Sequence, residues 1–258
     1  MTMAQIITPL ESSTNTMTQS PTLVACLLFF SACSVAANLH AADRGRLIFS
    51  DDFQRNESQE LKDEVGNGWG TNSERRAGGN KQVDLRNGAM YIYLHKDADH
   101  GVSVTHPAEF RNGSVELKFM LEHPKDTLGL NFADLECKEV WAGHLFKVVI
   151  GVKQTELADL KTGVMDLKTR EARKANTLTP ARQAELKTKS KKFDYKLDTG
   201  TWYTAVATVN GDTLSVSIDG KHVGSFSSPG IAHPTKRMLR LAVHRNVVVD
   251  DLKIYSRD

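Results

Sequence analysis

The segment from Thr201 to Phe226 limits the fold more than any other part of the chain. Leu214, Val216 and Ile218 alternate with Thr213, Ser215 and Ser217, which is the period of a strand with one buried face. Asn210-Gly211 and Asp219-Gly220 separate the alternating runs. Tight hairpins need residues that tolerate positive φ, so these dipeptides predict hairpin turns. The segment is therefore an antiparallel meander with one wet face, and the rest of the chain must supply a sheet to cover its dry face.

The remainder has the same grammar. Arg46 to Phe53 reads as a first strand. Asn56 to Gly79 reads as a polar, glycine-rich loop around Gly68-Trp69-Gly70. Asn87-Gly88 joins two more strands, 81–85 and 89–95, and Val102 to Thr105 follows a polar turn. In Ser114 to Glu122, Val115, Leu117, Phe119 and Leu121 share one face. Leu128 to Glu136, His144 to Val152, Met238 to His244 and Val247 to Tyr255 are read as further strands. Between Lys153 and Lys192 the pattern changes, with 11 Lys or Arg against 5 Asp or Glu. Asp166 to Ala175 and Pro180 to Lys189 have helical composition, and Thr179 before Pro180 is a good N-cap. The expectation is an all-β jelly-roll sandwich of two antiparallel sheets, residues 46–256, with a basic helical insertion at 160–192.

The amino end is different. Residues 22–37 are small and apolar but too few to span a membrane, and they end in small residues as a secretory signal does. Val35-Ala36-Ala37 suits cleavage before Asn38, leaving 38–45 as a linker. Phe30-Ser31-Ala32-Cys33 resembles a lipoprotein box, which would place a lipid anchor on Cys33. No Lys or Arg precedes the run, and a start at Met17 would shorten the leader. The expectation is export to the periplasm, the envelope or the exterior. Cys137 is then the single cysteine of the mature chain and cannot form an internal disulfide. A net charge of +2 over 258 residues gives no argument for nucleic acid.

Several of these segments are familiar together. Ile48 to Phe53, the Trp69 loop, Leu85 to Tyr91, Phe110 to Leu117 and Val248 to Tyr255 resemble the concanavalin A-like lectin/glucanase sandwiches. Within that superfamily the chain resembles the exported bacterial domains named for 3-keto-disaccharide hydrolases. The likeness is to secreted planctomycete-type proteins with a helical insert and a segment like Ala232 to Leu241. The resemblance implies a jelly roll, a carbohydrate partner and cleavage of a glycosidic bond. The Glu-x-Asp-x-x-Glu strand of the related family-16 glycoside hydrolases is absent, and a shared fold does not fix function.

Two constellations could carry chemistry. If Asp134 and Glu136 lie on one strand they share a face, with Cα atoms about 6.5 Å apart. Carboxylates that close suit a retaining glycosidase, one as acid and one as nucleophile. The bland alternative is a polar strand end that continues into Lys138 and Glu139. The second constellation is histidine-based. A 3-keto sugar has an acidified proton beside its carbonyl, which a base could remove. His144 or His244 could be that base, with Arg240 or Lys147 beside the oxyanion and His100 at a turn nearby. Trp69 and Trp141 are candidates for a groove wall, and Trp202 reads as core. No cofactor is implied, and no histidine spacing is diagnostic of a metal. Asp51-Asp52 and Asp250-Asp251 meet if the first and last strands pair; they could hold Ca²⁺, but strand-end charges explain them as well.

Three functions fit this reading: an enzyme cleaving a (3-keto-)glycoside, a lectin-like module without catalysis, and an envelope protein that docks a partner through its basic insertion.

Overall fold

The structure, a computed structural model, describes residues 44–258. The leader at 22–37, Cys26, Cys33 and the cleavage site before Asn38 lie outside the described residues. The chain forms the expected sandwich of two antiparallel sheets. One sheet has eight strands. Its path runs β13 (Lys221–Ser227), β12 (Thr213–Ile218), β11 (Trp202–Asn210), β6 (Gly113–Met120), β15 (Asn246–Ser256), β4 (Ala89–Tyr93) and β3 (Val83–Arg86), and β1 (Arg46–Asp51) also pairs along β15. The other has seven strands. Its order is β10 (Ser190–Asp194), β9 (Gln154–Asp159), β8 (His144–Gly151), β7 (Thr127–Ala133), β14 (Lys236–Val243), β5 (Val102–Phe110) and β2 (Gly70–Thr71).

Two predicted turns close as their chemistry requires, while the third shifts by one residue: Asn210 ends β11 opposite Thr213, and Gly211-Asp212 makes the turn. Asn87 and Gly88 have φ of 53° and 69°, and Asp219 and Gly220 of 48° and 74°, the left-handed pairs of a two-residue hairpin. The meander β11–β12–β13 buries Ala205, Ala207, Val209, Leu214, Val216 and Ile218 on its dry face. The covering side chains come from the second sheet, notably Leu130, Phe132, Phe146, Val148, Leu239 and Leu241, all in the same core cluster. Each such side chain contributes on the order of 2 kcal/mol by leaving water.

Some elements depart from expectation. β9 and β10 flank the insertion and extend the second sheet, although 153–192 breaks the strand pattern. β10 is an edge strand with exposed Lys191 and Lys192, and natural edges are short and lysine-rich. Trp202 is 42% exposed, because the inward phase of β11 falls on Tyr203, Ala205 and Ala207. The 56–79 loop contains β2 and a single helical turn, α1 (Ser73–Arg76). In the insertion, α2 (Leu167–Lys174) and α3 (Pro180–Lys187) start where the caps predict. Asp166 accepts from the Thr169 backbone and Thr179 from that of Arg182. Among the described residues no helix is long and apolar enough to cross a membrane.

Candidate functional site

The chemistry gathers on the outer face of the seven-stranded sheet. Leu128, Leu130 and Phe132 of β7 face the core. The alternate residues Gly129, Asn131 and Ala133 face outward, yet they are buried too. The outer side of this strand is therefore screened from water, although the other sheet packs only against its inner side.

The register builds a polar row across this face. Arg240 on β14 lies opposite Thr105 on β5 and Asn131 on β7, and Asn131 lies opposite Lys147 on β8. Asn131 therefore sits between two cations that are two strand spacings, roughly 10 Å, apart. Its Oδ1 is buried without a hydrogen-bond partner.

A β-bulge adds His144 to the same face. Phe132 pairs with Phe146 but Ala133 pairs with His144, so Leu145 is the extra residue. Leu145 and Phe146 both enter the core, and the bulge turns His144 outward beside Arg240. Without it, His144 and Phe146 would share a face.

Arg240 Nη1 lies 3.0 Å from both Nδ1 and Nε2 of His144. The equal distances place the Arg240 nitrogen over the ring face. The guanidinium's other terminal nitrogen reaches Ala142 O at 3.4 Å. Burial pushes the His144 pKa down to about 4, and the charges of Arg240, Arg170, His100 and Lys147 push the same way. The imidazole is neutral at pH 7. His244, one alternation beyond Ala242, is also held below the ordinary histidine value by burial and by His100 and Lys147. Arg240 itself is lowered by burial and by Arg75 of α1. Five residues singled out in the sequence, His100, His144, Lys147, Arg240 and His244, are thus brought within electrostatic reach of one another.

Sequence reasoning missed two members, Asn131 and Arg170. Asn131 follows from its alternation with Leu130 and Phe132, once the neighbouring strands are known. Arg170 comes from α2, and its guanidinium carbon sits 4.6 Å from the ring centroid of Trp141. Trp141 is 51% exposed in the turn Trp141–Gly143, where Ala142 has φ 51°. Trp141 is thus an exposed ring with the insertion's arginine stacked on it.

The carboxylate pair takes another form. β7 ends at Ala133, so Asp134 and Glu136 lie in a turn rather than on a strand. Asp134 accepts from the Glu136 backbone at 2.9 Å and pairs with His233 at 2.9 Å and Arg237 at 2.7 Å. Burial acts to raise its pKa, but His233, the Glu136 amide and Arg237 outweigh that and hold it low. A general acid needs the opposite. Glu136 is exposed and bound to Arg237 at 3.2 Å. We therefore expect Asp134→Asn to cost about 2 kcal/mol in denaturant unfolding, as a buried acceptor loses charged donors. Turnover per folded molecule should change less than about threefold; a larger loss at unchanged stability would restore Asp134 to the chemistry.

Trp69 is a correction as well. It is 8% exposed, packs among Phe49, Phe53 and His106, and donates from Nε1 to Asp51 at 2.8 Å. Its ring belongs to the core and forms no groove wall. Asp51, by the same contacts, is committed to Arg55, Asn67 and Trp69 rather than to a cation. Cys137 is a free, half-buried thiol packed against the core. Among the described residues, Glu57, Glu60 and Asp84 have the spacing of a cation site, but Lys81 Nζ already contacts them at 2.7, 2.7 and 2.8 Å.

A cavity of ≈ 540 Å³ lies within the insertion, between Lys161, Thr169 and Arg182. Its polar groups satisfy one another. Arg182 donates to Thr169 Oγ1, Thr162 O and Glu185. On the sheet face, by contrast, Asn131 Oδ1 has no partner.

No protein-family model matches the chain, and no curated protein is similar to it in sequence. Solved structures are similar in fold. SCLam, a non-specific endo-β-1,3(4)-glucanase from family GH16, aligns over 84% of this chain and 92% of its own, at 13% identity and TM-score 0.53. The laminarinase of Flavobacterium sp. UMI-01 aligns over 81% and 100%, at 12% identity and TM-score 0.51. The apo Crh5 transglycosylase aligns over 81% and 84%, at 11% identity and TM-score 0.50. The fold is thereby shared: a jelly-roll sandwich of two antiparallel sheets. At these identities the likeness speaks for the fold alone.

Proposed function

We propose that this protein is an exported carbohydrate-active enzyme that cleaves the glycosidic bond of a 3-keto-glycoside on the outer face of the seven-stranded sheet. One observation carries the reading: His144, its pKa held low, lies directly under the Arg240 guanidinium, on a sheet face whose central strands present no pair of carboxylates. That set suits proton abstraction beside a carbonyl better than two-carboxylate hydrolysis. The fold shared with glucanases agrees with a saccharide occupant but does not choose the reaction. The leader at 22–37 supports export.

The step balances as an elimination. A neutral His144 nitrogen takes the C2 proton, which the C3 ketone acidifies. The C2–H pair becomes the C2=C3 bond of an enolate, and Arg240 stabilises its oxygen. The pair then returns to form the ketone and the C1=C2 bond while the C1–O bond breaks. The departing alkoxide takes a proton from the imidazolium. Water added later across C1=C2 completes a net hydrolysis. Negative charge growing beside Arg240 offsets the field that depresses His144, so the ring becomes more basic as the proton moves. Lys147 and His244 lie further along the same face.

A second reading, a non-catalytic glycan-binding module, is favoured by the exposed Trp141 platform. One experiment separates them. The full chain is incubated with 3-keto-glucosides and with unoxidised oligosaccharides, following product release and binding heat. Turnover of the keto sugars that disappears in His144→Gln is the expected result. Binding without turnover makes it a lectin-like module, and hydrolysis of unoxidised sugars indifferent to His144→Gln overturns the proposal.

A further inference from the structure

We infer that the saccharide bound at this face carries an anionic group, a carboxylate or a sulfate ester, seated among Arg240, Lys147 and Arg170. The inference rests on the reading of the face as a saccharide site, but not on any cleavage there.

The first ground is a contrast within the molecule. Elsewhere among the described residues the most enclosed cations are satisfied: Lys81 by three carboxylates, Arg55 by Asp51, Arg237 by Asp134 and Glu136, Arg182 by Glu185, and the buried Lys236 by the carbonyls of Arg111 and His233. Arg240, Lys147 and Arg170 are half-buried. Among the described residues none of the three forms an ion pair, and the cations and histidines around them add to the same field. Glu156 on β9 faces the same side opposite Val149, yet it too forms no ion pair with them. A partly desolvated cation without a counter-charge is unfavourable, and an anionic ligand would supply that charge.

The second ground is open hydrogen-bonding capacity at fixed positions. Arg170 Nε is buried without a partner. Its guanidinium is held by the Trp141 ring at 4.6 Å and by Met165 Sδ at 3.8 Å. Neither contact competes for a carboxylate or sulfate oxygen, and the planar fork matches either group.

The third ground is Asn131. Its unpartnered Oδ1 is an acceptor between Arg240 and Lys147, in a residue only 8% exposed. An acceptor there repels a bare anion and accepts from a hydroxyl. Cations interleaved with an acceptor select a ligand with both functions, as an acidic sugar has and an inorganic anion has not. The insertion thus has a defined part: α2 delivers Arg170 to the edge of a site whose floor is the sheet.

The test is calorimetric binding of the full chain to four probes: an oligogalacturonate, a sulfated oligosaccharide, a neutral gluco-oligosaccharide of equal length, and inorganic sulfate. At low salt at least one acidic oligosaccharide should bind about tenfold or more tightly than the neutral one and than sulfate. It should weaken about tenfold between roughly 0.05 and 0.5 M salt. The carboxylate and sulfate arms identify the group. Arg170→Gln should lower that affinity at least about fivefold with an unchanged thermal midpoint, since the residue lies outside the core. Equal affinity for acidic and neutral probes, sulfate binding as well as the oligosaccharides do, or indifference to Arg170→Gln overturns the inference. Acidic-sugar binding without turnover of keto sugars leaves it standing and removes the cleavage reading. Turnover of neutral keto-glycosides with no acidic preference does the reverse.

Discussion

Arg240→Met should lower kcat for a 3-keto-glucoside by about 10²- to 10³-fold, the loss typical when one preorganised oxyanion donor is removed. KM for this neutral sugar, which has no anionic group to seat on Arg240, should change far less, because the guanidinium then meets charge that forms only in the transition state. The substitution should barely destabilise the fold, and could stabilise it slightly, because it removes a cation that is lowered by burial and has no acidic partner among the described residues. It should also release His144. The ring's value, now about 4, should rise once the nearest charge is gone but stay below the ordinary 6.5, because burial, the larger cause, remains. The acid limb of kcat/KM should climb with it. Arg240→Lys keeps the charge but not the planar fork, so an intermediate loss would show that geometry as well as charge is used. Steady-state kinetics across pH, with a denaturant curve for each variant, checks all of these results.

Asp51→Ala should cost about 3–5 kcal/mol in denaturant unfolding, the largest single-residue effect expected outside the apolar core. The carboxylate takes Arg55 Nη1 at 2.6 Å, Trp69 Nε1 at 2.8 Å, Asn67 Nδ2 at 3.0 Å and the Phe53 backbone at 2.9 Å. Truncation leaves those donors unsatisfied, Trp69 deep in the core. It also frees the end of β1, which pairs with β15 as far as Leu252. Asp52→Ala next door removes an exposed carboxylate and should cost less than about 1 kcal/mol. Burial acts to raise the Asp51 pKa, but its donors outweigh burial and hold it below 3.8. Its contribution is therefore complete above that value and is lost as pH falls through the lower folded value. The gap between wild type and Asp51→Ala should narrow in acid.

Much of the sandwich was legible because its signals are local. Alternation in Leu214–Ile218 and the Asn-Gly and Asp-Gly pairs need no knowledge of the rest of the chain. β9 and β10 were hidden because an edge strand such as Ser190–Asp194 is charged to avoid pairing and so reads as part of the helical insertion. The histidine and cation candidates came out together because residues at strand ends and on one alternation gather naturally on one sheet face. The carboxylate pair failed on a boundary: moving the end of β7 from Glu136 to Ala133 turns a same-face pair into a capped turn. Trp69 failed because flanking glycines look like a surface loop, whereas here they let the chain bend so that the ring packs inward. The bulge at Leu145 left no mark, since His144-Leu145-Phe146 reads equally well as regular strand. Asn131 and Arg170 become meaningful only when register and insertion bring them beside Arg240.

The most direct test of the central claim is the NMR titration of the His144 ring in the full chain, with and without a 3-keto-glucoside. The account predicts a neutral ring at pH 7 that protonates near 4, at a higher value still below 6.5 in Arg240→Met, and at a shifted value on adding the sugar. Because its folded value lies below the ordinary one, the unfolded chain takes the proton first, and stability should fall as pH drops from 6.5 toward 4. A ring that titrates near 6.5 in wild type, unmoved by Arg240→Met or by the sugar, would contradict the claim that this face is the site.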